Sequence, residues 1–302
     1  MSRAPINPDL LRWARERAEL EPEALSSRFP KLVEWEAGER LPTLRQVEAF
    51  ARAVHVPVGY LLLPEPPEEP LPIPDFRTLA SRGVGRPSPN LLDTLYACEE
   101  RQAWFCEHAR MTGQAGHEFV GSVGVETAPE VAAQVIREAL GIEVAERRGC
   151  QDGSEALRLF MRQAEAAGIL VMVSGVVLNN NRRPLDPEEF RGFALADPLA
   201  PLVFINGADT KAAQMFTLAH ELAHIWLGAS GLSDVSAAGS ADGQREEVWC
   251  NRVAAEILAP LEQVRAELRS DEALEAALQR LARTFKVSSL VVLRRLLDAG
   301  HL

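Results

Sequence analysis

The sequence predicts an α+β chain: an all-α bundle of short helices in front, then a mainly helical domain carrying a small sheet. Three observations carry this. Residues 1–63 hold a series of brief apolar-periodic runs, each with its own start or stop signal. A proline-dense break follows, with six prolines among the eleven residues from Pro64 to Pro74. Beyond it helical periods dominate, interrupted by a few short β-branched or apolar runs of strand length. The expected division is a bundle over 1–63, a linker over 64–78, a main domain over 79–265 and a C-terminal helical cap over 266–302.

In the bundle, Asn7-Pro8-Asp9 is a start signal for a helix with Leu10, Leu11, Trp13 and Ala14. A second helix runs through Glu23-Ala24-Leu25. A third follows Pro30 with Leu32-Val33-Glu34-Trp35 and stops at Gly38. Thr43-Leu44-Arg45-Gln46 is a capping box opening a fourth, and Val58–Leu63 reads as a fifth. The prolines after Pro64 exclude a helix and leave two readings, a stiff extended connector or a strap lying on one domain.

Further on, helices are expected from Asn90 to about Met111, Pro129 to Leu140 and Ser154 to Ala167, with a buried strand over Ile169–Val173. Residues 180–189, polar and broken by Pro184, read as a surface loop. Thr210 to Leu227 has the composition of a buried helix, and Gly228 stands where it would stop. Glu246 to Leu258 is another helix, closed by Pro260, with Asp242 as a candidate cap. Glu256 points away from its apolar face and is expected in solvent. Two helices finish the chain between Asp271 and Leu302, the last capped by Ser288 or Ser289, with Arg294 and Arg295 as solvated charges.

Composition bounds the function. The chain has 302 residues, 47% apolar and 25% charged, as a soluble globular protein does. A net charge of −11 argues against broad nonspecific nucleic-acid binding. No run approaches the ~18 apolar residues of a membrane span, and no secretory apolar region opens the chain, so no membrane partner is expected. Cys98, Cys106, Cys150 and Cys250 form no CxxC pair, which excludes a disulfide frame and fits a cytoplasmic protein.

The chemistry concentrates in His220-Glu221-Leu222-Ala223-His224. Two imidazoles four residues apart lie one above the other on a helix, close enough to share a metal ion. The glutamate between them is placed to act as a base without being a ligand. Three ionisable groups in an apolar helix would each cost several kcal/mol if left unpaired, and a metal removes most of that cost. Such a site needs a third protein ligand. At about 100° per residue Glu246 and Glu247 fall on opposite flanks of the face formed by Cys250, Val253, Ala254, Ile257 and Leu258, so periodicity does not choose between them. Cys250 is a rival ligand.

At this point the chain resembles the ImmA/IrrE family of bacterial metallopeptidases. The likeness runs through Phe190-Arg191-Gly192-Phe193-Ala194-Leu195, Leu202-Val203-Phe204-Ile205-Asn206, the motif helix from Phe216, and Glu247-Val248-Trp249-Cys250-Asn251 onward to Pro260. The resemblance implies metal ligands at His220, His224 and Glu247, the glutamate four residues before Asn251, with Glu221 as catalytic base. It implies Zn²⁺, although the same ligands accept Mn²⁺ or Fe²⁺. Val253 stands where the family usually has Phe, which should alter packing only. A substrate strand is expected along a sheet edge built from Gly192–Leu195 or Leu202–Ile205. No second oxyanion donor is evident, because the only tyrosines are Tyr60 and Tyr96, far from the motif.

Residues 1–63 resemble the Xre (lambda-repressor-like) helix-turn-helix domain through Trp35-Glu36-x-Gly38-Glu39-x-x-Pro42-Thr43. The base-reading helix would offer Lys31, Leu32, Val33, Glu34, Trp35 and Glu36, whose two acids repel phosphate. Both DNA contact and a protein-docking or homodimer-forming role stay open. The resemblance implies a zinc endopeptidase acting on a partner protein, an Xre-type repressor, in stress response or mobile-element control. The alternative is a DNA-binding regulator or antitoxin-like protein whose metallopeptidase domain serves as sensor or scaffold.

Overall fold

Of the short helices at the front of the chain, the first and the fourth start on a side chain that accepts from a first-turn amide. The structure, a computed structural model, describes residues 3–69, 73, 87–233, 241–269 and 272–301, with residues 241–244 described by backbone alone. Contacts divide the chain into two units, Met1–Pro72 with Arg86–Leu92, and Ile73–Gly85 with Asp93–Leu302.

The first unit contains α1 (Pro8–Arg17), α2 (Pro22–Ser26), α3 (Leu32–Glu36) and α4 (Leu44–Ala53). The Asn7 side chain accepts from the Asp9 amide at 3.0 Å. Thr43 and Gln46 form the reciprocal box at α4, with the Thr43 amide donating to Gln46 Oε1 at 2.8 Å. Gly38 closes α3 with φ of 74°. Val58–Leu62 is a 3₁₀ turn rather than an α-helix, since so short a run closes i→i+3 bonds such as Tyr60 N–H to Pro57 O. Leu10, Leu11, Trp35, Val47, Phe50 and Leu61 form the core. The start of the proline-rich segment is a strap on this unit. Asn7 Nδ2 donates to Pro64 O at 2.9 Å, and Arg17 pairs with Glu69 at 2.6 Å. Asp75–Thr78 and the rest of the expected linker lie outside the described residues, except Ile73.

α5 (Pro89–Met111) starts in the first unit and belongs to the second from Asp93 on; the second unit also holds α6 (Pro129–Leu140), α7 (Val144–Gly149), α8 (Gly153–Ala166), β1 (Leu170–Ser174), β2 (Gly192–Leu195), β3 (Leu202–Asn206), α9 (Lys211–Leu227), β4 (Gly231–Ser233), α10 (Ala241–Leu258), α11 (Leu261–Ala266), α12 (Leu274–Phe285) and α13 (Ser289–Asp298). Asp152 rather than Ser154 starts α8, its side chain accepting from the Glu155 amide at 2.8 Å. Among the described residues four strands form one sheet in the order β1-β3-β2-β4, with β1 parallel to β3 and the other pairs antiparallel.

This order corrects one expectation. β2 and β3 are the inner strands and wholly buried, so neither offers a free edge; the edges are β1 and β4. The three-residue β4 was not legible as a strand. α9 packs on β2 and β3, and α10 packs along α9. No helix among the described residues is long and apolar enough to cross a membrane.

Three further expectations are corrected around α10. The helix begins at Ala241, so Asp242 lies inside it rather than capping it. Glu256 is buried, not solvated, and pairs with the equally buried Arg295 of α13. Arg137, Arg147 and Arg295 donate to the carbonyls of Glu256, Leu258 and Ala259. Three guanidiniums from α6, α7 and α13 thus satisfy the orphan acceptors where α10 ends, with the charge sign its dipole favours. Val264, Leu281, Phe285, Val292 and Leu296 of the C-terminal helices share one core with α9 and α10.

Candidate metal centre

α9 is fixed at both ends by local signals. Thr210 caps its start by accepting from the Ala213 amide, and Gly228 ends it at φ of 73°. The segment between α5 and α6 seals its far end. Gly121 and Val123 donate their amides to Ile225 O and Trp226 O, both at 3.2 Å, and Phe119 stacks on Trp226 with centroids 4.5 Å apart. The same segment reaches α10, where Trp249 Nε1 donates to Thr127 O at 2.7 Å. The two helices carrying the motif residues are therefore clipped together by a coil with no sequence period of its own.

The structure brings His220, His224 and Glu247 together and buries all three. The imidazole Nε2 atoms are 3.2 Å apart. Glu247 reaches His220 Nε2 at 3.2 Å through Oε2 and His224 Nε2 at 3.0 Å through Oε1. The ligand atoms of the three residues all lie within 4.8 Å of one another. Around a tetrahedral ion with bonds of about 2.0–2.1 Å, neighbouring ligand atoms stand about 3.3 Å apart, so the spacing fits zinc. Glu246, the other flank of the helix, is half-exposed and takes no part in this cluster. Cys250 is fully buried, and burial holds its thiol well above the ordinary value, so it stays a neutral core residue.

The electrostatics call for a cation at the point of convergence. Burial pulls the His220 pKa down, but the neighbouring Glu247 carboxylate outweighs it and the net shift is upward; Glu221 and the Asn251 side chain add to the rise. At His224 burial wins and the pKa falls, with the charge of His220 working the same way. Two imidazoles this close are not both positively charged. Burial opposes the charge on Glu247, yet the two histidines bring its pKa down to about 2. Two imidazoles and an ionised carboxylate in an apolar enclosure are a donor set for a borderline divalent ion such as zinc, not a satisfied apolar core.

Glu221 is fully buried between the two histidines in sequence and lies over strand β2. Its room comes from Gly192. A Cβ at that position would stand 2.5 Å from Thr217 Cγ2, 2.7 Å from Phe204 O and 3.1 Å from Glu221 Oε1. In the sequence Gly192 is one residue of a strand-length run. The available signal was a glycine inside a strand pattern, which marks a close approach. Asn251, one turn beyond Glu247, was quoted for its spacing alone; in the fold it bears on His220. Tyr60 and Tyr96 lie outside the cluster, and no second oxyanion donor is assigned.

Residues 164–297 match the family model Peptidase_M78, the IrrE N-terminal-like domain. The match covers the strands, the motif helix and α10 and runs into α13, so the ImmA/IrrE likeness holds over that span, and it implies a metallopeptidase. No curated protein matches the chain.

Proposed function

We propose, taking residues 164–297 as a metallopeptidase domain of the ImmA/IrrE type, that the chain is a zinc-dependent endopeptidase cutting a partner regulatory protein. The carrying observation is the convergence of His220, His224 and Glu247 within 4.8 Å, with Glu221 on the same helix. Those three residues would hold the metal. Bound there, the ion would polarise the scissile carbonyl and acidify a water. Glu221 takes the proton from the attacking water and returns it to the departing amine. The apolar enclosure of α9 and α10 excludes bulk water and strengthens each charge interaction inside. β4 is the sheet edge next to β2 and offers main-chain groups to an extended substrate, in place of the inner strands.

The target is a repressor of the Xre class, and the first unit recruits it. The helix that would read bases exposes Val33, 66% accessible, and carries Glu34, which suits a protein contact better than a phosphate one. The test is incubation of the zinc-loaded protein with purified helix-turn-helix repressors from its own genomic neighbourhood, beside a Glu221→Gln variant. Cleavage by the first and not the second supports the reading. Intact repressors with stoichiometric zinc bound would overturn it in favour of a regulator using this domain as a scaffold.

A further inference from the structure

Residues 1–63 carry nine arginines and lysines against nine aspartates and glutamates, and the fold sorts them. Arg12, Arg15 and Arg17 are ion-paired, to Asp9 at 3.0 Å, Glu36 at 2.8 Å and Glu69 at 2.6 Å. Of the other six cations, five line one cleft: Arg3, Arg28, Lys31, Arg40 and Arg45. It measures about 520 Å³ and lies between the N-terminal segment, the turn joining α2 to α3, and the start of α4. No carboxylate lines it. Among the described residues only Arg40 has an acidic partner, Glu34 at 3.4 Å in a half-exposed pair.

Like charges gathered around a concavity repel one another, and low-dielectric walls focus their field into it. A domain with equal numbers of both signs has no need of that arrangement for solubility. Two features shape what the cleft would take. The first turn of α4 holds no acidic residue and points its N-terminus at the cleft through Thr43, Arg45 and Gln46, adding the positive end of a ten-residue helix. Phe29 and Trp35, core residues that are almost wholly buried, back part of the lining, and the Arg28 guanidinium lies 5.4 Å from the Phe29 ring centroid.

We propose that this cleft is a binding site for a small polyphosphate anion of nucleotide size. Four of the five cations are arginines, whose planar forks match phosphate oxygens two at a time. The volume falls in the range of small-ligand sites, roughly 300–1,000 Å³. Duplex DNA fits less well, because its phosphates are spread over a surface far wider than a cleft of about 520 Å³ and would meet only the rim. Val33 and Glu34, the exposed residues of α3, are not among the lining. The assignment rests on this cleft alone and is independent of the peptidase reading.

The experiment is calorimetric titration of the full-length, zinc-loaded protein with sodium tripolyphosphate and, separately, with ATP. It is repeated on an Arg28→Glu/Arg45→Glu variant, where both side chains are exposed, and on Arg52→Glu, which lies outside the cleft. Far-UV circular dichroism checks that each variant is folded. One site per chain is expected for at least one of the two anions, weakened about tenfold or more in the double variant and unchanged in Arg52→Glu. Three results would overturn the assignment. One is silence with both anions. Another is equal affinity in the double variant, which would place the anion outside the cleft. The third is binding of a duplex oligonucleotide while both small anions are silent.

Discussion

Gly192 and Glu221 are a matched pair: the carboxylate oxygen of Glu221 lies 3.1 Å from where the Cβ of any other residue at 192 would stand. The strand approaches the motif helix so closely that only a hydrogen fits. Gly192→Ala is expected to keep its zinc, because the ligands are on other residues, and to lose about tenfold to a hundredfold in kcat through displacement of Glu221. Removing the nearer obstacle, Thr217 Cγ2 at 2.5 Å, with Thr217→Ser should recover part of that loss. Metal content and kcat measured on the same samples decide the point. A fully active Gly192→Ala protein would show that the base needs no such space.

Glu221→Gln preserves shape and removes the base. Zinc stoichiometry should be unchanged while cleavage falls by about 10²–10⁴-fold. Loss of zinc in this variant would make Glu221 a ligand and the proposed division of roles wrong.

The two adjacent glutamates of α10 should behave differently. Glu247→Ala removes one of three converging donors and should strip the metal on dialysis, whereas Glu246→Ala should retain it. Atomic emission on both dialysed proteins tests this, and equal retention would exclude Glu247 from the site.

Zinc affinity should depend on pH with a definite sign. Glu247 holds the His220 pKa above its ordinary 6.5 despite burial, so metal entering the site must displace a proton. Apparent affinity should therefore climb as pH rises through that raised value and then level off. In the metal-free protein the stability tied to His220 protonation is present below pH 6.5 and lost as pH rises through the raised value. Glu247, brought down from 4.5 to about 2, contributes stability present above its ordinary pKa and lost as pH falls toward 2. Competition against a chromophoric chelator at a series of pH values measures the first effect, and a flat profile would contradict it.

Arg295 and Glu256 make a buried ion pair that also closes the C-terminus of α10. Arg295→Ala should cost about 3–5 kcal/mol, since it leaves a buried carboxylate uncompensated. Arg294→Ala, at a side chain 69% exposed, should stay within about 0.5 kcal/mol. Urea unfolding of the two variants gives the comparison.

Much of this protein was legible in its sequence where the signal is local. The capping box at Thr43, the glycine stops at Gly38 and Gly228, and the four-residue spacing of His220 and His224 are rules of one helix, and each element formed where its rule placed it. The ligating flank of α10 is not a local property. Glu246 and Glu247 are equivalent to periodicity, and the choice comes from which side α10 turns toward α9. The same holds for Glu256 and Arg295, read as solvated because nothing near them in sequence announces the partner 39 residues away.

The sequence by itself determined several local start and stop signals, the donor types and their spacing along one helix, because backbone hydrogen bonding and side-chain period act over a few residues. Only the tertiary structure decided which strands lie at the sheet edge, which glutamate completes the donor set, and why position 192 is a glycine. Those depend on the separation of surfaces far apart in the chain, and packing fixes such distances to a fraction of an ångström where local propensity is blind to them.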